Sequence, residues 1–374
     1  MLRDSFHSTI PGTVVRAFYI VGTAIVIAAV GTYFFMADQP QSNLPNETEL
    51  ETVHADSTAV GKSNELSTSN DVTEDSIATN ADQTNTTALQ PETPRTDSRK
   101  SINDDWCIAN TELADSDFQL AQEQKREWDL ARGDINLTVV KANPEAANAE
   151  YLQPYVELDK DDLIAHAKHD DKYALLVLAQ RPDIDAKDRE RAAKQLVILG
   201  QTSQALSFLI IREISQAQVA YQKADAVVPE VKKHVANILS YVKYGLTRKD
   251  PSALFTYLMF VQQHHEGQFA FDPESVLSDE ELSRIDSHTQ KLTDMLDSRR
   301  AKRYLPPIQD VEIPAIAYHD YDYELARAHY LFDTYLTNSR TVKALYPEVT
   351  ERSPCVETIL SHVSRAAKKP EPVH

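Results

Sequence analysis

Along most of the second half of the chain, apolar residues return at intervals of three and four, the spacing that lines one face of an α-helix. The pattern predicts helices over residues 173–180, 189–199, 204–224, 228–246, 251–264, 279–302, 321–337 and 355–367. Prolines at positions 182, 229, 251, 273, 306, 307, 314, 347 and 354 fall between these runs or in their first turns, where a helix tolerates them. Two earlier stretches follow other rules. Residues 17–37 are apolar and uncharged, and residues 38–105 turn abruptly to Ser, Thr, Asn, Asp, Glu and Gln.

The apolar run, AFYIVGTAIVIAAVGTYFFMA, has the length of one membrane-spanning helix, because about 20 residues at about 1.5 Å each cross a hydrocarbon core of about 30 Å. Arg3 and Arg16 precede it, and Asp38, Glu47, Glu49 and Glu51 follow it, so residues 1–16 are expected in the cytoplasm. A cleaved signal would have a shorter apolar core and a small residue where Phe35 stands. The expectation is a single-pass protein of an inner (cytoplasmic) membrane, touching lipid through residues 17–37, with its C-terminal domain periplasmic. Residues 38–105 carry 14 acidic against 4 basic residues. Such a segment cannot bury enough apolar surface to offset its ordering entropy, which predicts a disordered acidic stem.

Residues 106–367 are long enough for a sizeable core, and residues 368–374 read as a flexible tail. Only four glycines (Gly133, Gly200, Gly245 and Gly267) follow residue 105. Sheet proteins and nucleotide-binding α/β folds spend glycine on turns and phosphate loops, so the composition predicts an all-α domain. Within it Ala174-Leu175 with Leu178 recurs as Ala205-Leu206 with Leu209, and again as Ala253-Leu254 with Tyr257. Between the first two, Ala192 and Ala193 offer small surfaces for close helix approach, while Leu196 and Leu199 fill the seam. On these residues the segment 163–209 resembles the Sel-one-like repeats, relatives of the tetratricopeptide repeats. It departs from them where Leu178-Ala179 and Pro182-Asp183-Ile184 replace the usual glycine-bearing positions. The resemblance implies a solenoid of helix pairs and a non-catalytic scaffold.

Candidate chemistry is sparse. Cys107 and Cys355 stand near the two ends of the folded region, and in an oxidising compartment a disulfide between them would staple those ends. His264-His265-Glu266 lacks the second His of a helical zinc site, and His166 with His169 reads as a polar turn. His319-Asp320-Tyr321-Asp322 offers an Asp-x-Asp behind a possible short strand at 313–318, an arrangement that holds a divalent cation in many nucleotide-sugar transferases. Read that way, Asp320 and Asp322 would serve a type II membrane glycosyltransferase. Read as a helix start, they favour the helix dipole. The residues Tyr318, Tyr321, Tyr323, Tyr330 and Tyr335 are the first candidates for a binding face, since Tyr is favoured at recognition surfaces. No cofactor, catalytic group or metal site is expected, and the formal charge of −19 argues against nucleic acid. The leading expectation is a membrane-anchored helical-repeat scaffold or adaptor for other envelope proteins; the transferase is the alternative.

Overall fold

The computed structural model describes residues 115–368. Among them the helices run in the order α1 Asp115–Arg132, α2 Leu137–Ala142, α3 Ala149–Val156, α4 Lys160–Ala167, α5 Lys172–Gln180, α6 Ala186–Ile198, α7 Ser203–Ala224 and α8 Pro229–Thr247. The series continues with α9 Ser252–His265, α10 Asp279–Leu282, α11 Ile285–Ala301, α12 Ala315–Asn338, α13 Arg340–Leu345, α14 Pro347–Thr350 and α15 Pro354–Lys368. A 3-10 turn, Ile308–Asp310, precedes α12, and the described residues contain no strand. Each of the eight predicted runs falls on helix, with 279–302 divided into α10 and α11. The short strand considered at 313–318 does not form, because α12 begins at Ala315.

Local chemistry starts and stops these helices. Asp159, Asp171, Asp185 and Ser339 accept hydrogen bonds from the first free N–H groups of α4, α5, α6 and α13, and Ser278 with Glu281 forms a reciprocal capping box on α10. Pro229 occupies the first position of α8, where its missing N–H costs nothing. Helix ends use left-handed residues: Gly133 after α1, Asp225 after α7, Lys249 after α8 and, unusually for a bulky side chain, Tyr304 after α11. A non-glycine residue in that conformation costs about 1–2 kcal/mol.

Each helix packs on its successor through most of the chain, with the α7–α8 contact the most extensive. The alanines predicted to allow close approach do so, since Ala174, Ala192, Ala193 and Ala205 are buried, together with Leu175, Leu178, Leu196 and Leu206. Leu199 is only half-buried. The array also folds back on itself. α11 returns to α8 and α6, α12 packs on α9 and on α1, and α15 covers α12. A solenoid contacts only its nearest neighbours; here α1 and α12 join through a buried cluster of Trp128, Ile316 and Ala317 with Ile313 against it.

The expectation of a membrane-spanning helix is corrected. Among the described residues no helix is long and apolar enough to cross a membrane, and residues 17–37, which carried that expectation, lie outside them, as do the proposed stem at 38–105 and residues 1–16. The longest described helices are amphipathic: α12 carries Asp320, Asp322, Glu324, Arg327 and Asp333, and α7 carries Arg212, Glu213 and Lys223. The single-pass topology, the inner-membrane and periplasmic placement, the lipid contact and the envelope-protein partners all rested on that span and are withdrawn with it.

Candidate buried ion network

The most concentrated charge in the described region lies where α1 ends. α1 closes with Gly133 in the left-handed region (φ 72°) and Asp134 N–H donating to Asp129 O at 2.7 Å. The loop between α6 and α7 then completes the cap: Thr202 N–H donates to Arg132 O at 2.9 Å and Gln201 Nε2 donates to Ala131 O at 2.7 Å. With its backbone held, Arg132 turns its guanidinium inward, only 4% exposed.

Four carboxylates meet it. Arg132 Nη1 donates to Asp250 Oδ1 at 3.2 Å, and Nη2 donates to Asp134 Oδ2 at 2.7 Å and Asp129 Oδ1 at 2.9 Å. Asp320 Oδ2 lies 3.3 Å from the same Nη2, and Lys125 bridges Asp129 and Asp320. Asp250 is fully buried in the loop between α8 and α9, where it also accepts from Thr202 Oγ1 at 2.5 Å and Ser252 N at 3.0 Å. That loop closes tightly because Gly245 has no Cβ: one placed there would sit 2.8 Å from the Asp250 carbonyl oxygen.

The electrostatics follow from crowding. Burial alone would lower the Arg132 pKa, but Asp134, Asp250, Asp320 and Asp129 outweigh it and hold the guanidinium charged, well above its ordinary value. Burial likewise works against Asp134, yet Arg132 and Lys125 keep its carboxyl below the ordinary 3.8. Asp129 goes the other way, pushed up by burial, with Lys125 offsetting part of the rise and Asp134 adding to it. Glu324, one turn beyond Asp320, is raised by burial, partly countered by Arg327. Four aspartates share two bases, Asp250 and Asp320 buried, and Asp129, Asp134 and Lys125 partly exposed.

The residues singled out from sequence are scattered. Asp320 and Asp322 do not converge on a cation, because two positions apart on a helix point to different sides. Asp320 is buried against Arg132 and Lys125, while Asp322 is half-buried, raised by burial and countered by Lys249 and His319. Among the described residues no group of three or more His, Cys, Asp or Glu is placed to hold a metal ion, which overturns the metal-dependent transferase. His264 contacts Phe269 O at 3.2 Å, and His166 faces Asp171 at 3.6 Å. Tyr318 and Tyr321 bracket the Lys249 ammonium at 5.1 and 4.7 Å, Tyr335 stacks near His265, and Tyr330 is exposed on its own. Tyr323 is half-buried on the same helix. Cys355 is buried in the first turn of α15 and is not a free thiol. Cys107, its expected partner, lies outside the described residues, so the bridge is not among the described contacts.

The chain matches no protein-family model, no curated protein and no solved structure. The resemblance of residues 163–209 to Sel-one-like repeats is therefore corrected to a statement about packing alone: sequential helices with alanine seams, inside an array that closes on itself. Sequence reasoning missed Lys125, Arg132, Asp134 and Asp250 altogether. Trp128, one of only two tryptophans, was the available signal that α1 has a buried face.

Proposed function

We propose that the described helices form a self-clamped structural module, in which the Arg132 network holds the start of the array against α9 and α12 rather than serving as a site of chemistry. The observation that carries this reading is the pairing of Arg132 with Asp250, 118 residues away, with both side chains almost fully buried. Every member of the network contacts another member. Buried ion pairs contribute little net stability compared with apolar packing, but they specify geometry, and removing one partner leaves a buried charge uncompensated.

Asp250→Asn separates a clamp from a reactive site. Sites of chemistry hold like charges together at a cost, so neutralising one carboxylate there stabilises the fold. In a clamp the same change leaves Arg132 with three carboxylates but weakens its most deeply buried bond and the acceptor of Thr202 Oγ1, a loss of about 1–3 kcal/mol. Urea denaturation of the wild-type and variant proteins reads the sign directly; a rise in stability overturns the clamp.

A further inference from the structure

A second polar joint lies where α12 meets the entrance to α15. His329, buried in the second half of α12, has both ring nitrogens engaged by the segment that leads out of α14: Nε2–H donates to Val349 O at 2.9 Å, and Nδ1 accepts from Arg352 Nε at 3.2 Å. A carbonyl oxygen only accepts and a guanidinium only donates, so this pair of contacts requires the neutral imidazole with its proton on Nε2. Arg352 also pairs with Asp333 Oδ1, the half-exposed carboxylate one turn beyond His329, and that oxygen lies 3.6 Å from Nδ1. The next residue caps α15: Ser353 Oγ accepts from Val356 N at 3.1 Å, and Ser353 O accepts from Glu357 N at 3.0 Å. Holding Arg352 therefore holds the cap, and the cap sets the first turn of α15, where Cys355 and Val356 are buried. Charges on the other elements around α12 are committed elsewhere. Lys125 and Arg132 of α1 face Asp320, His265 of α9 faces the Tyr335 ring, and Arg340 of α13 pairs with Asp279. Among the described residues Glu348 and Glu351 on the α14 side and Glu357 on α15 form no ion pair with the ring, whose charged neighbours are Arg352 and Asp333.

We propose that His329 is a proton-operated latch on the start of α15: a proton taken up at Nδ1 displaces Arg352 and turns the new N–H toward Asp333 on the same helix. The proton occupies the lone pair that held Arg352 Nε, so two cations then stand against each other and compete for one half-exposed carboxylate. A contact that joined α12 to the α15 cap becomes a contact within α12. Nε2 donates to Val349 O in either state, and Tyr346 OH donates to Leu239 O at 2.6 Å, so α14 stays docked while residues 351–353 and the first turn of α15 loosen. Burial first, and then Arg352, hold the latched ring below its ordinary 6.5. Release of Arg352 lifts the second of these, so the released state takes its proton at higher pH than the latched one; release grows as pH falls and reverses as pH rises.

Hydrogen exchange of the full chain at pH 7.5 and pH 5.5, read at the Val356 and Glu357 amides and corrected for the intrinsic exchange rate, tests this. In the wild type, protection of these two amides falls at least about threefold at the lower pH, within the roughly tenfold per pH unit that one proton allows. Arg352→Met, a change at the surface, removes the latch and leaves the fold: protection is low at both pH values and their ratio stays below about twofold. His329→Gln, which keeps an N–H for Val349 O and takes up no proton, also flattens the ratio. His362 of α15 lies more than two turns beyond Ser353 and is common to all three proteins, so its titration cancels in the comparison. Equal protection at the two pH values in the wild type, or a wild-type ratio that survives Arg352→Met, overturns the latch.

Discussion

Where α7 packs on α8, the buried side chains are Leu209, Ile210, Ile214 and Ala217 on one helix and Val231, Val235, Ile238 and Leu239 on the other. Where α1 packs on α12, a small apolar patch around Trp128 sits beside Arg132, Lys125 and Asp320. The first seam is mainly apolar and non-directional, with one directional point where Glu213 of α7 meets His234 Nδ1 at 2.6 Å and accepts from Asn237 Nδ2 at 3.2 Å on α8. The second is directional, because each carboxylate oxygen must reach one donor and a misplaced helix strands a charge. An apolar seam supplies most of the stability of such an array; an ionic seam decides which elements may close it.

The sharpest way to break that contrast is Arg132→Met, which roughly keeps volume, leaves Asp250 buried without its cation and leaves Asp320 with Lys125 alone. A loss of about 3–5 kcal/mol in denaturant unfolding is expected, comparable with truncation of a large apolar core side chain. Ile238→Ala, in the fully buried apolar seam, is expected to cost about 3 kcal/mol by lost transfer energy and cavity formation, with no dependence on salt. If Ile238→Ala proves far more damaging than Arg132→Met, closure of the array does not depend on the ionic seam. Gly245→Ala addresses the loop that delivers Asp250. Its new methyl meets backbone, and an overpacking cost of about 1–3 kcal/mol exceeds the roughly 1 kcal/mol gained in helix propensity, so a net loss near 1 kcal/mol is expected in thermal unfolding.

The smallest expected effect separates the two ends of α12 by pH. His329 is buried, its Nε2–H donating to Val349 O at 2.9 Å and its Nδ1 accepting from Arg352 Nε at 3.2 Å. Burial, with Arg352 adding to it, lowers its pKa below the ordinary 6.5, partly offset by Val349 and Asp333. The unfolded chain therefore binds a proton that the folded one refuses. The stability contribution is complete above pH 6.5 and is lost as pH falls through the depressed value. Asp134, held below 3.8, contributes fully above that value and loses its contribution only as pH falls through its own lowered pKa. Denaturation curves between neutral pH and pH 5 should thus report on His329 while Asp134 stays silent, and His329→Gln should reduce their slope.

The two seams were also unequally legible. The α7–α8 core followed from residue spacing, because burial of Leu206, Leu209, Ile210 and Ile214 repeats with the helical period and needs no knowledge of the partner. The ionic seam left no periodic trace. Arg132-Gly133-Asp134 reads as an ordinary helix end and Asp250-Pro251 as an ordinary helix start, and only the tertiary fold brings them within 3.2 Å. Asp320 was noticed for the wrong reason, as half of an Asp-x-Asp, when its helical setting sends it to α1 and leaves Asp322 behind. Arg299-Arg300-Ala301-Lys302-Arg303 has the composition of a basic cap on its own helix end. Arg300 instead donates to Ile198 O at 2.6 Å, closing the end of α6. Short elements such as α2, α13 and α14 lacked enough turns to show a period.

The distance between Arg132 and its partners also sets a timetable. A chain emerging N-terminus first makes Arg132 alongside Asp129 and Asp134, which are on hand at once. Asp320 follows roughly 190 residues later, and at about 5–20 residues per second the nascent chain waits on the order of 10–40 s for it. Until then α1 has no α12 to settle against, and Trp128 has no Ile316 or Ala317 to cover it. The first described helix to be synthesised is thus among the last to find its place, and ribosome-bound chains stopped before residue 320 should leave α1 open to proteases while α5 to α8 are already protected.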